Sequence, residues 1–114
     1  MSFNSSDRDR EYCRNIIEAY SYITIYLDGV EQPEFMIDRK TQDAVAMRLQ
    51  QILECASKLS TEMKSKLAIN WSALVAMRNK ISHSYIDVEA EIVWEVINDF
   101  EEFDKLIEWA KKNG

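Results

Sequence analysis

Four polar residues follow a short apolar stretch in the second half of the chain: Arg78, Asn79, His83 and Tyr85. His83 is the only histidine, and histidine is the side chain whose ordinary pKa allows proton exchange near neutral pH. Arg78 keeps its positive charge and presents a planar set of donors that fits a phosphate group. Tyr85 adds a phenol two positions beyond the histidine. These residue types predict a site that binds a phosphate ester and moves a proton.

The spacing of Arg78 and His83 limits how the two side chains can meet. Five residues of a continuous helix turn about 140° beyond one revolution, so the pair would not share a face, whereas Asn79 and His83 would. Either the helix frays near Ser82 and brings His83 back towards Arg78, or the pair forms across two subunits. A symmetric dimer with this helix near its axis would place two Arg–His sets in one cleft. Taken alone, the same residues are also typical of a structural C-cap and a surface charge.

Length and composition predict a single domain over residues 1–114. Two glycines and one proline are too few for the turns of a sandwich or barrel, whereas 46% hydrophobic residues can form a core. No segment has the roughly 18 apolar residues of a membrane span, and the N-terminus lacks the apolar core of a signal peptide. We therefore expect a cytoplasmic protein. Cys13 and Cys55 should be buried free thiols, with a disulfide as the lesser alternative.

Charge is distributed unevenly along the chain. The net charge of −6 argues against indiscriminate nucleic-acid binding, because phosphate contacts dominate that affinity. Residues 57–86 nevertheless carry five bases and one acid, while residues 87–104 carry eight acids and no base. Screening limits exposed charges to a reach of about 8 Å. A local basic patch around Arg78 could therefore still bind a polyanion.

Apolar residues at three- and four-residue steps predict four long helices and hence an all-α antiparallel bundle. The first helix should end near Gly29, residues 30–37 should form a loop around Pro33 that buries Phe35 and Met36, and residues 60–70 should form a connector with room for one helical turn. The expected N-caps are, in chain order, Ser6, Asp38, Asn70 and Asp87. The last helix should run unbroken from residue 88 to near the C-terminus.

The apolar stripes of the later helices are the expected core. They comprise Val45, Leu49, Ile52, Leu53, Ala56 and Leu59, then Trp71, Leu74, Val75 and Ile81, then Ile92, Val96, Phe100, Phe103 and Ile107. Glu54 falls inside the first of these stripes. A buried acid is costly unless it is paired, so Glu54 should face a cation or a subunit interface, or else lie at a solvated edge. The chain has no glycine-rich phosphate loop and no metal-ligand spacing, and we expect no cofactor.

Four segments in order carry a resemblance to a known family. They are TQDAVAMRLQQILECASKLS at 41–60, the Asn-Trp pair at 70–71, MRNKISHSY at 77–85 and EIVWEVI at 91–97. Together they closely resemble the HepT-like family of HEPN domains, with its R-x4-H-x-Y motif. The chain departs from the family where Leu53 stands in place of a frequent glycine and Asn70 in place of a frequent proline. Both departures bear on dimer packing and leave the motif intact.

The resemblance implies a four- or five-helix bundle that dimerises with its motif at the subunit interface. It implies a metal-independent ribonuclease that acts as the toxin of a toxin–antitoxin pair, neutralised by an MNT-type nucleotidyltransferase antitoxin that can transfer AMP onto the motif tyrosine. Carried over, Arg78 and His83 are the catalytic pair and Tyr85 is the modification site. Asn79 and Glu54 occupy positions where the family usually has the same residues, which implies supporting roles.

A mechanism follows as a hypothesis. His83 would transfer protons, and Arg78 would stabilise the charge that develops at phosphorus. Tyr85 would position the substrate. Because one histidine per chain leaves one proton-transfer role unfilled, a dimer is expected to be the active unit. Two other functions remain open from the sequence: a non-catalytic substrate- or nucleotide-binding subunit of a two-component nucleotidyltransferase, and an inactive helical interaction module.

Overall fold

The computed structural model describes residues 5–83 and 90–114, with side chains described for 7–81 and 90–114. Within these ranges the regular structure is entirely helical, which confirms the all-α prediction. The helices are α1 (Ser5–Tyr26), α2 (Gln32–Phe35), α3 (Arg39–Ser57), α4 (Thr61–Ser65), α5 (Trp71–His83), α6 (Ala90–Asp99) and α7 (Glu101–Asn113). None of the helices in the described ranges is long and apolar enough to cross a lipid bilayer.

Helix α3 occupies the centre of the packing arrangement. Its predicted apolar stripe is buried as expected, and it packs mainly against α1, then against α5 and α6. Helix α1 supplies the opposing stripe and also packs against α7. The α1 side chains in this interface are Cys13, Ile16, Ala19 and Ile23. Each large aliphatic side chain buried in this way contributes roughly 1.5–3 kcal/mol.

A buried carboxylate ties the first turns of α1 to the connector that follows α3. Asp9 is only 3% exposed. It accepts hydrogen bonds from the backbone N–H of Ser60 at 2.8 Å and from the Ser60 hydroxyl at 2.6 Å. The Ser60 hydroxyl oxygen in turn accepts from the N–H of Met63 and so caps α4. A charge this deep is tolerated because both carboxylate oxygens have donors.

Several predicted helix ends are confirmed. Asp38 caps α3 by accepting from the N–H of Thr41, and Asn70 accepts from the N–H of Ala73 at the start of α5. Gly29 follows α1 with a φ of +73°, a left-handed conformation that suits glycine. The prediction for Ser6 is wrong, because α1 already includes Ser5. Asp87 lies outside the described residues.

The loop predicted for residues 30–37 contains a short helix, α2, which begins beside Pro33. Proline has a fixed φ near the helical value and lacks an N–H that the first turn would leave unpaired, so it favours such a start. Phe35 is fully buried, as predicted, and its ring centroid lies 5.2 Å from that of Trp94. Met36 is half-buried. The expected helical turn in the 60–70 connector is α4.

The prediction of one unbroken C-terminal helix is wrong, because the chain leaves the helical conformation at Phe100. The buried residues before the break are Val93, Val96 and Ile97, and those after it are Phe103, Leu106, Ile107 and Ala110. At 3.6 residues per turn, a straight helix would place the second group roughly 80–90° around the axis from the first. The extended backbone of Phe100 allows both groups to face the core.

The Asp9–Ser60 connection predicts a specific loss of stability. Asp9→Ala should lower the free energy of unfolding by about 2 kcal/mol, because two donors of Ser60 lose a buried acceptor. Urea denaturation followed by circular dichroism measures this change. Glu18→Ala removes an acid from the exposed face of the same helix and should stay within about 0.5 kcal/mol of the wild type. Equal losses from the two variants would contradict the role given to Asp9.

Candidate active site

Arg78 lies on α5 where that helix packs against α3, and its guanidinium contacts two of the predicted site residues. Its Nη1 atom lies 3.8 Å from Oε2 of Glu54, and its Nη2 atom donates to Oδ1 of Asn79 at 3.2 Å. The structure therefore brings together three of the five predicted site residues. Glu54 comes from α3, so this part of the site joins the two helices.

The Arg78–Glu54 ion pair is long, and both side chains are accessible to solvent. The side chains are 28% and 54% exposed, respectively. A pair of this kind contributes at most about 1 kcal/mol. Of the alternatives for Glu54, the structure shows a solvated edge position that also faces a cation. Because the contact is weak, a phosphate group could displace the carboxylate from Arg78 at little cost.

Packing of α5 explains why Arg78 is held beside α3. Leu74 and Ile81 are buried and Met77 is half-buried, which fixes the inward face of the helix. Arg78 follows Leu74 by four residues and so lies at the edge of that face. The packing role predicted for Val75 is wrong: one residue past Leu74 turns it about 100° outward, and it is 39% exposed.

His83 is the last residue of α5, so the helix ends one residue past Ser82. The alternative in which the helix frays near Ser82 and the alternative in which the pair forms across two subunits both stay predictions. Within one chain, the Cα atoms of Arg78 and His83 lie about 140° apart around the helix axis. The His83 side chain and the whole of Tyr85 lie outside the described part of the structure, so their predicted roles stay predictions.

The two cysteines offer little nucleophilic character. Both are free thiols; Cys13 is buried and Cys55 is half-buried. Burial, with a smaller contribution from Asp9, raises the pKa of Cys13 to about 11. Burial also raises the pKa of Cys55, while Lys58 opposes the shift. Both thiols are therefore protonated at neutral pH, and only the thiolate is a strong nucleophile.

Other features of the described residues lie apart from Arg78. Within residues 7–81 and 90–114 no three histidine, cysteine or carboxylate side chains are grouped as metal ligands would be. A surface cavity of about 430 Å³ opens beside the first turns of α1, where the described lining residues are Asp7, Arg8, Glu11 and Tyr12. None of the predicted site residues is among these four.

Arg48, on α3, contacts a tyrosine of α1, and this contact was not predicted from the sequence. The guanidinium carbon of Arg48 lies 4.2 Å from the ring centroid of Tyr22, which belongs to α1. The two residues are 26 positions apart, and no local motif connects them. The sequence gives only a weak indication of this contact, because helical periodicity places Arg48 beside the apolar stripe of α3 and not within it.

Comparisons with known proteins support the family resemblance. The family described as Ribonuclease HepT-like matches residues 16–111. A Methanocaldococcus jannaschii protein named "Putative RNase" is 28% identical over 104 residues, covering 86% of each chain. A Thermococcus cleftensis protein named "Probable ribonuclease HepT" is 28% identical over 91 residues, covering 79% of this chain and 83% of its own. No solved structure matches.

The family match includes α3, α5 and the candidate site between them, and it extends over most of the remaining helices. The chain therefore belongs to the HepT-like ribonuclease family.

Proposed function

We propose that this protein is a metal-independent endoribonuclease, the toxin of a HEPN/MNT toxin–antitoxin pair, and that it cuts RNA with Arg78 and His83 at a dimer cleft. The observation that carries the proposal is the position of Arg78. It is held at the α3–α5 contact by Glu54 and Asn79, partly open to solvent, on the helix that ends in the single histidine. Family membership and the names of the relatives support the ribonuclease activity.

RNA cleavage without a metal needs a base for the 2′-hydroxyl, a cation for the charge at phosphorus, and an acid for the leaving 5′-oxygen. Arg78 supplies the cation, and its weakly held guanidinium can exchange Glu54 for a phosphate. His83 supplies proton transfer, which contributes roughly 10²–10⁴-fold. Asn79 and Glu54 position Arg78 before substrate arrives.

The geometry of α5 supports a dimeric site. Helix α5 extends to His83, and along a helix this residue lies about 140° around the axis from Arg78 of the same chain. Two chains related by a twofold axis would bring two copies of each residue to one cleft. Two histidines could then act as the base and the acid of the same cleavage.

The first prediction concerns catalysis. His83→Ala should lower RNA cleavage by roughly 10²–10⁴-fold, and Arg78→Ala by about 10²-fold or more. Purified protein incubated with single-stranded RNA, with and without EDTA, provides the measurement. Lys112→Ala is the control, because it removes an exposed cation from α7, a helix that carries none of the predicted site residues. Unchanged cleavage by His83→Ala protein in EDTA would reject the assignment.

A second prediction separates a shared cleft from two independent sites. Mixed dimers are formed from wild-type and His83→Ala chains at a one-to-one ratio. If both histidines serve one cleft, only the doubly wild-type dimers are active, and the activity should be about a quarter of the wild-type value. Activity near one half would show that each histidine works alone.

Tyr85 is proposed as the residue that an MNT-type antitoxin modifies. Transfer of AMP would add a phosphate charge and a bulky nucleoside two residues from His83, which would repel and exclude RNA. Mass spectrometry after co-expression should find AMP on the peptide that contains Tyr85, and Tyr85→Phe should escape both modification and neutralisation. AMP on a peptide without Tyr85 would show that this site is wrong.

A further inference from the structure

A cation and two aromatic rings form a second polar surface between α1 and α3. We call it the Tyr22–Arg48 surface, and it consists of Tyr22, Tyr26 and Arg48. The Arg48 guanidinium carbon lies 4.2 Å from the Tyr22 ring centroid. The Tyr26 ring centroid lies 6.1 Å from that of Tyr22, with the ring planes 32° apart. All three side chains are half-buried, so they are held by packing and still reach solvent.

Arg48 differs from the other arginines of α3 and α5 in its partners. Arg39 pairs with Asp43 at 3.2 Å, and Arg78 pairs with Glu54. Among the described residues, no carboxylate lies within salt-bridge distance of Arg48, whose guanidinium donates one hydrogen bond, to Gln51 at 3.2 Å. Arginine has five donors in a planar fork that suits phosphate. The Tyr22–Arg48 surface therefore presents a cation that an anion can take without displacing an acid.

In the part of the chain that the structure describes, two other cations lie over aromatic rings, and each of them already has a hydrogen-bond or ion-pair partner. Lys64 lies over Trp71 and donates to the carbonyl of Ser57. Lys111 lies over Tyr20 and pairs with Glu108 at 3.6 Å. Their geometry is explained by helix ends and local pairing. Arg48 also has a local partner, Gln51, but it has no carboxylate partner among the described residues, and stacking on Tyr22 orients its guanidinium.

The Tyr22–Arg48 surface and the candidate active site lie on two flanks of the same helix, α3. Arg48, Gln51 and Glu54 follow one another at three-residue steps, each about 60° around the exposed side of α3. Glu54 is the residue that holds Arg78. Arg48 and Glu54 are separated by roughly 9 Å along the helix axis. A chain of phosphates that crosses the exposed side of α3 would therefore meet one guanidinium on each flank.

We propose that the Tyr22–Arg48 surface is a binding subsite for single-stranded RNA. In this subsite Tyr22 stacks on an unpaired base and Arg48 binds a phosphate, while the neighbouring segment of the RNA lies at Arg78. The proposal rests on the ribonuclease function proposed above. Stacking between bases and aromatic side chains is tolerant of sequence, because every base has a π face. A duplex hides those faces, so the subsite selects unpaired RNA.

Binding to a fluorescein-labelled single-stranded RNA, followed by fluorescence anisotropy at low salt, tests the subsite. All variants are made in the His83→Ala protein, so that the RNA stays intact. Tyr22→Ala should weaken binding about 5- to 100-fold, whereas Tyr22→Phe, which keeps the ring, should bind as the parent does. Arg48→Gln should weaken binding several-fold and should reduce its dependence on salt.

Lys111→Gln is the matched control for Arg48→Gln, because it also removes one cation from above a tyrosine ring. It should leave the affinity unchanged. A duplex RNA of the same sequence should show no loss with Tyr22→Ala. Circular dichroism and sedimentation confirm that each variant keeps the fold and the oligomeric state of the parent.

Three outcomes would overturn the proposal. If the His83→Ala parent binds RNA and the Tyr22 and Arg48 variants bind like Lys111→Gln, the subsite alone is wrong. If the parent does not bind RNA at all, the proposed function fails together with the subsite. If Tyr22→Ala or Arg48→Gln loses the oligomeric state along with RNA binding, this surface is a subunit interface instead.

Discussion

The apolar stripe of α3 is the constraint on which the rest of this structure depends. It is buried against α1 on one side and against α5 and α6 on the other. Any rotation of α3 would expose several large side chains, each at roughly 1.5–3 kcal/mol. With this orientation fixed, Glu54 must lie beside α5 and Arg48 beside α1. The partners of Arg78 and Tyr22 are therefore set by a hydrophobic interface in which none of these four side chains takes part.

Weak electrostatic contacts suit a surface that is proposed to exchange one partner for another. The acid of Glu54 is more than half exposed and holds Arg78 only loosely, so the guanidinium is oriented without being committed. Asp9 shows the opposite arrangement, with a deeply buried carboxylate and short hydrogen bonds to one residue. The chain thus uses a buried acid to hold its helices together and an exposed acid where a phosphate is expected to compete.

Local patterns predicted much of the fold and part of the site. The stripe of α3, the caps at Asp38 and Asn70 and the burial of Phe35 all follow from residue spacing, because a helix repeats its environment every 3.6 residues. The break at Phe100 was not predicted, because neither proline nor glycine stands there. The helix breaks because the buried residues of α6 and those of α7 would otherwise point in different directions around one helix axis. Arg78, Asn79 and Glu54 were named from the sequence and are in contact. The contact between Arg48 and Tyr22 was not predicted, because two residues that are distant in sequence leave no local pattern.

The extended residue at Phe100 also bears on how chains of this family can differ in length. An inserted residue within a helix rotates everything after it by about 100°. In α3 such a change would turn the apolar stripe away from α1 and carry Glu54 away from Arg78. At the junction of α6 and α7 the two helices are already rotated independently of each other. An insertion or deletion at this junction should therefore disturb the α3 stripe and the contact between Glu54 and Arg78 less than the same change within α3.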